Sequence, residues 1–364
     1  MIALMLRYTS FWGMALVHSL WQGAVIVVLF SVLTAVVRKY PSYLRYRIAL
    51  LMMCVVIFSF ISMLFGMRDP GNDAEFQAVK ELIGTADQIM IIAPNPIVEF
   101  FVTMIGKLSA AMPIVFLIWL SVVILLIWRF GRALTSVRKF LSTCKPAGSE
   151  VQAVADSCSN AMGLHISVPV LLTEKSVSPM VVGFAHPVIV LPQDCLRKYT
   201  PEQQKFFIMH EIAHIQRGDF AVNIVLTICD IVFFFNPFIR RITEIMRRER
   251  ELSCDEAVVS STGRTLDYAR ALTDLYDDTY KHPLAMGMSG GLLAYRVYGL
   301  FQPKKTPAFT VTAFVIGFIS LIIVTGLIDC SRMFSYTVNG HRISIAQFQS
   351  IERDIYDPAK RKSE

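Results

Sequence analysis

Between Arg7 and Arg38 the chain carries no Asp, Glu, Lys or Arg. The apolar run from Phe11 to Val37 inside that window would extend about 40 Å as a helix. Such a helix is at low free energy in the hydrocarbon of a bilayer, which about 20 apolar residues suffice to cross. Three further windows, 48–67, 108–128 and 306–328, are bounded by charged residues and lie close to that length. The sequence therefore predicts a polytopic α-helical membrane protein with four transmembrane helices, at 11–37, 48–67, 108–128 and 306–328. Composition agrees, since 54% of the 364 residues are hydrophobic and 17% charged, against roughly a quarter charged in a water-soluble domain. A wholly soluble fold is excluded. The first window is too long, and too poor in small-residue cleavage positions, for a cleaved signal peptide, and is expected to stay attached.

Orientation follows from the loops, because Lys and Arg close to a span resist translocation. Residues 38–47 hold Arg38, Lys39, Arg45 and Arg47 with no acid, and belong inside. Residues 68–107 carry Asp69, Asp73, Glu75, Glu81, Asp87 and Glu99 against three basic residues, and belong outside. Arg129, Arg132, Arg138 and Lys139 follow the third span, and Lys304 and Lys305 precede the fourth. The expected layout is a bacterial cytoplasmic membrane protein with spans and outer loop over 1–128, a cytoplasmic domain over 129–305, a last span at 306–328 and a small outer tail at 329–364. Both termini then face out. The formal net charge of +7 is explained by the inward loops, so membrane lipid is an expected partner and direct nucleic-acid binding is not. Seven cysteines, an odd number without a Cys-x-x-Cys pair, give no disulfide framework. His18, Trp21 and Gln22 fall in the first span at helical spacing, where polar groups turn toward the bundle interior. The apolar stretch 220–239 is split by Asp230 and closed by Asn236-Pro237, so it predicts a helical hairpin rather than a fifth span.

The cytoplasmic segment contains His210-Glu211-Ile212-Ala213-His214 within an apolar, helix-forming stretch. Residues i and i+4 share a helix face, so both imidazoles can hold one Zn²⁺. Glu211, next to the first histidine, can take a proton from a water that the ion acidifies. Thr200 with Gln203 three residues on predicts a capping box at the helix start. Two surface histidines beside a solvated Glu would not have Phe206, Phe207, Ile208 and Ile212 around them.

A catalytic zinc uses three protein ligands and an open position. Downstream, Glu251 and Asp255 are i and i+4. Glu251 can complete the ligand set while Asp255 accepts the outer N–H of a zinc-bound histidine, and Glu249 and Glu256 point elsewhere. Cys254 is expected to be a small buried filler; as a fourth ligand it would instead make the zinc structural. Short β-rich runs over 168–192, bounded by Pro and Gly, predict a small sheet, with Met180, Val181, Val182 and Gly183 as a strand that an extended peptide could pair with. Tyr268 is a candidate transition-state stabiliser.

With His-Glu-x-x-His-x-x-x-x-Asp, Phe-Phe-Asn-Pro-Phe and Arg-Glu-Leu-Ser-Cys-Asp set between a third and a fourth span, the chain resembles the BlaR/MecR membrane metallopeptidases over roughly residues 10–330. The resemblance implies an α+β gluzincin domain with one zinc per chain, His210, His214 and Glu251 as ligands, Glu211 as general base and Asp255 behind the ligands. It also implies a cytosolic protein substrate of the transcriptional-repressor kind, in an antirepressor signalling role, with a homodimer as a further option. A housekeeping membrane protease of Ste24/HtpX type, and a non-catalytic receptor or assembly factor with a structural metal, are the alternatives. Signal transducers of that family carry a penicillin-sensing domain after the last span. Here the tail predicts only a hairpin at Asn339-Gly340 and an amphipathic run over 346–355. Ser136-x-x-Lys139 and Ser142-x-x-Lys145 match the sensor's acylation pattern by letter only, in a basic cytoplasmic stretch.

Overall fold

The apolar windows of the first 141 residues form long helices in the computed structural model, which describes residues 2–37, 40–66, 96–175, 178–183, 185–279, 283–303, 335–338 and 341–344. Helix α1 is Ile2–Val36, α2 is Ser42–Gly66 and α3 is Pro96–Leu141. Among the described residues, two stretches, Ser42–Ile61 and Ala111–Leu141, are long and apolar enough to cross a membrane, and Ala15–Ser31 of α1 is a shorter apolar one. The expected span at 306–328 and the amphipathic run at 346–355 lie outside the described residues. Helix ends differ from the expected span ends. α2 starts at Ser42 rather than 48, and α3 runs past 108–128 on both sides. Charged residues mark where side chains leave an apolar environment, whereas backbone hydrogen bonding continues wherever the following residues tolerate it. Ile114, Leu117, Ile118, Ile124, Leu125, Ile127 and Trp128 of α3 are each more than half exposed, an apolar surface suited to lipid.

The chain divides into two compact units, one of Val27–Met53 with Val123–Thr312, the other of Met1–Ile26, Cys54–Val122 and Ala313–Glu364. In the first, strands β1 (Lys145–Pro146), β2 (Val170–Thr173), β3 (Met180–Val182) and β4 (Val188–Pro192) form one sheet in the order β1-β2-β4-β3. β2 and β4 are parallel, and β3 pairs antiparallel with β4 in the register Met180 to Val190 and Val182 to Val188. β3 is thus an edge strand. The strands expected over 168–192 are present, while β1, two residues without alternation, left no sequence signal.

Val170, Ile189 and Leu191 of the sheet join Phe206, Ile208 and Ile212 in one apolar core, to which helix α4 (Ser149–Ala161) adds Ala155 and Cys158. A short α5 (Gln193–Lys198) leads to α6 (Pro201–Arg217), which carries the two histidines. The predicted capping box is present: Thr200 Oγ1 accepts from the Gln203 amide, and Gln203 Oε1 accepts from the Thr200 amide at 3.0 Å. Gly218 ends α6 in the left-handed conformation, φ 66°, which glycine adopts at no steric cost. The chain reverses there, and α7 (Asp219–Val232) begins at once. After a turn at 233–235, Asn236 Oδ1 accepts from the amides of Phe238 and Ile239 and opens α8 (Pro237–Thr262). The hairpin expected over 220–239 is therefore α7 and the first turn of α8. α8 packs on α6, α7 and α10 (Pro283–Leu300), with α9 (Thr265–Thr279) between. Gly299 lets α10 approach Leu252 so closely that a Cβ would lie 2.6 Å from its methyl group. In the other unit, β5 (Ser335–Val338) and β6 (His341–Ser344) pair antiparallel, Val338 opposite His341, as the Asn-Gly turn predicts.

Replacing Thr200 with Ala removes the side-chain acceptor at the start of the histidine helix. It should lower stability by about 1 kcal/mol, read as a lower midpoint of thermal unfolding.

Candidate active site

The buried His210 and the half-buried His214, on one face of α6, place their Nε2 atoms 3.2 Å apart. Glu251 of α8 brings Oε2 to 3.6 Å from His210 Nε2 and 3.9 Å from His214 Nε2. Zinc bonds of about 2.0–2.2 Å in a tetrahedral arrangement put neighbouring donors roughly 3.3–3.6 Å apart. The three donor atoms therefore fit a single zinc ion, and His210, His214 and Glu251 could hold one.

What aims the Nε2 lone pairs inward is a carboxylate behind each ring. His214 Nδ1 lies 2.8 Å from Asp219 Oδ2, and His210 Nδ1 lies 3.1 Å from Asp255 Oδ1. An ionised carboxylate only accepts, so each Nδ1 carries a proton and donates, and in the neutral ring Nε2 is left with its lone pair. Asp255 has no exposed surface. Arg296 of α10 donates to it at 2.7 and 2.6 Å, and the Tyr268 hydroxyl donates to Oδ1 at 2.6 Å. Burial opposes charge on Asp255, but Arg296 and the hydrogen bond from His210 outweigh it and hold the carboxyl below its usual range. Glu251 is likewise opposed by burial. Hydrogen bonding with His210 and the charges of His214 and Arg296 overcome this and hold it well below the ordinary value. Burial would lower His210, yet hydrogen bonds to Asp255 and Glu251 win and raise it to about 9. A position that raises the proton affinity of an imidazole in this way favours positive charge, which a divalent cation also supplies.

Glu211 is buried on the same helix and lines a cleft of about 380 Å³ together with His210, His214 and Glu251. Met180, Val181 and Gly183 line it too, so the edge strand borders the candidate centre, and Val182 is buried and does not line it. Tyr268 lies close to the candidate centre. Its hydroxyl is fully buried 3.1 Å from His210 Nδ1 and is committed to Asp255. Tyr268 also lines the cleft, and its hydroxyl meets His210 on the Nδ1 side of the ring. Cys254 Sγ lies 3.4 Å from His214 Nδ1 and 3.5 Å from Asp219 Oδ2. That again is the far side of the ring, so the thiol cannot share an ion held on Nε2. Burial and the Asp219 charge push it well above its usual range, which keeps it protonated. The hydroxyls of Ser136 and Ser142 donate to the carbonyls of Arg132 and Lys139 on α3.

Asp219 and Arg296 were not assigned roles from the sequence. Asp219 falls five residues after His214 and reaches its ring only because Gly218 reverses the chain. Arg296 is 41 residues from Asp255 and shares no local pattern with it. Replacing Asp219 with Asn puts an amide donor or a weaker acceptor against His214 Nδ1. Zinc affinity should fall roughly 10- to 100-fold, the range for losing an outer partner of a metal-binding histidine, in a competition titration with a chromogenic chelator.

Residues 11–288 match the family described as BlaR1 peptidase M56. The chain is 28% identical over 117 residues to the regulatory protein BlaR1 of Bacillus licheniformis, covering 32% of this chain and 19% of that protein. It is 24% identical over 154 residues to the methicillin resistance mecR1 protein of Staphylococcus aureus, covering 40% of this chain and 26% of that one. The mecR1 protein of Staphylococcus epidermidis is similar to the same degree. The chain thus aligns with about a quarter or less of the length of these curated relatives. The family match covers well over half of the chain and includes both candidate metal-binding helices, and the chain belongs to the BlaR1 peptidase M56 family.

Proposed function

We propose that the chain is a membrane-anchored zinc endopeptidase that cleaves a protein on the cytoplasmic side of a bacterial membrane, in a signalling role such as removal of a transcriptional repressor. The observation that carries this reading is the convergence of His210, His214 and Glu251 beside Glu211 in a cleft edged by β3. His210, His214 and Glu251 would hold the zinc, which when bound would supply Lewis acidity toward a scissile carbonyl and a water. Glu211 takes the proton from the attacking water and passes it to the leaving amine. Asp255 and Asp219 hold the imidazoles in the tautomer that leaves Nε2 unprotonated. The exposed edge of β3 pairs with an extended substrate backbone, which presents side chains alternately to the cleft and away from it. A regulatory role draws support from the similarity to the regulatory protein BlaR1. Two apolar helices and the outward-facing surface of α3 support membrane anchorage. The placement of Cys254 behind His214 favours a centre with an open position over a closed structural one.

Glu211→Gln keeps the size of the side chain and all three metal donors but removes the base. The variant should bind zinc as the native chain does while cleavage falls by at least 100-fold, at the low end for loss of a general base. Comparing new N-termini in the proteomes of cells carrying either form identifies the substrate. Equal N-termini in the two sets, or turnover by the variant, would sink the peptidase reading. Chelation should abolish cleavage and added zinc restore it.

A further inference from the structure

Glu249 and Glu256 bracket the Glu251–Asp255 pair on α8, and neither lines the cleft. Both face α2. The amide of Ser42, the first residue of α2, donates to the two carboxylate oxygens of Glu256 at 3.0 and 3.3 Å, which places a negative charge at the positive end of the helix dipole. One turn on, Arg45 Nε donates to Glu249 Oε2 at 2.9 Å, with both side chains nearly buried. Tyr295 donates to the other oxygen of Glu249 at 2.6 Å, and its neighbour Arg296 holds Asp255. Tyr46 lies beside Arg45. Its hydroxyl donates to Asp219 Oδ1 at 3.4 Å, and its ring carries the Arg217 guanidinium 4.7 Å from the centroid. Arg217 in turn lies 3.5 Å from Asp219 Oδ2 and bonds Ser253 of α8.

The first two turns of α2 thus contact Asp219, the partner of His214, and two further carboxylates, Glu249 and Glu256, of the helix that bears Glu251 and Asp255. Asp219 shows why that matters. The terminal torsion of an Asp side chain is broad, and His214, Cys254 and Arg217 all meet Asp219 at Oδ2, so contacts at that one oxygen do not fix the carboxylate plane. A donor on Oδ1 does, and Tyr46 supplies it in a buried environment. Resting on the zinc-peptidase reading, we propose that Arg45 and Tyr46 are positioning residues for the metal centre: Tyr46 orients His214 through Asp219, and Arg45 fixes α8 and α10, with Glu251 and Asp255, through Glu249 and Tyr295.

The test uses the full chain in lipid nanodiscs, with Tyr46→Phe, Arg45→Gln, the exchange pair Arg45→Glu with Glu249→Arg, and Arg47→Gln. Arg47 is exposed over Tyr43 on the same helix and controls for loss of a positive charge. Cobalt(II) affinity, the visible spectrum of the cobalt form, kcat and KM on the cleaved substrate, and the unfolding midpoint are measured for each. Tyr46→Phe and Arg45→Gln should each weaken cobalt binding and lower kcat roughly tenfold, the small end of the outer-partner range. The cobalt spectrum should shift, while KM and the unfolding midpoint stay near native values. The exchange pair should recover affinity relative to Arg45→Gln, and Arg47→Gln should match the native chain. Native affinity, spectrum and kcat in both single variants would overturn the proposal, as would losses that track a lowered unfolding midpoint. A native chain that binds cobalt but cleaves nothing would refute the peptidase reading alone, and the spectra would still decide the positioning role.

Discussion

An imidazole can offer Nε2 to a metal only while its proton rests on Nδ1, and the proton rests there only against a fixed acceptor. In this protein the acceptors are Asp255 for His210 and Asp219 for His214, and much of the surrounding fold serves to place them. α8 carries Asp255 one turn beyond Glu251, so a single helix supplies both a donor for the ion and the partner of another donor. Gly218 reverses the chain directly after α6, which brings Asp219 back to the ring that its own helix has just presented. α9 and α10 contribute Tyr268 and Arg296, whose bonds to Asp255 hold the carboxylate in one orientation. The core under α6 keeps the histidine face in register with α8.

These placements have an electrostatic cost. Three carboxylates, Glu251, Asp255 and Asp219, are largely withdrawn from water, where an unpaired charge is strongly disfavoured. Arg296 compensates Asp255 at close range and lies 3.8 Å from Glu251, and Arg217 lies 3.5 Å from Asp219. Arg250 lies 3.3 Å from Glu251 Oε1, which leaves Oε2 to face His210 and His214. A divalent cation there would meet three converging donor atoms, one of them on a carboxylate. Cys254, within reach of both Asp219 and His214, adds no charge because burial keeps the thiol protonated.

Much of the centre was legible in the sequence because its parts are local. His210 and His214, like Glu251 and Asp255, sit at i and i+4, a spacing that fixes a shared helix face before any tertiary contact forms. The Thr200–Gln203 cap and the Asn-Gly hairpin are local in the same sense. What escaped depends on distant packing or on one dihedral. Arg296 meets Asp255 through the approach of α10 to α8 at Gly299, which no periodicity announces. Asp219 depends on a positive φ at Gly218. Tyr268 was recognisable as close to the centre, but the side of the imidazole it occupies is set by the packing of α9 behind α6. Charges bound the apolar windows at 48, 108 and 128, and charges end an apolar surface without ending a helix.

Arg45 and Arg47 carry that last distinction further. Both were counted together as inward charges, and two residues apart on a helix they point to nearly opposite sides. Arg47 is solvated over Tyr43, whereas Arg45 is nearly buried against Glu249. A charge count near a span therefore combines a residue that orients the chain in the membrane with one that joins two helices. α2 can begin at Ser42 because Glu256 and Glu249 satisfy its polar first turns, and the same two carboxylates belong to the helix that bears Glu251 and Asp255. A displacement of this end of α2 must either break bonds between partly buried charged groups or move α8 with it. The stiffness of close-packed interiors favours the second course, so the geometry around Nε2 is tied to the first turns of an apolar helix as closely as to the helix that carries the histidines.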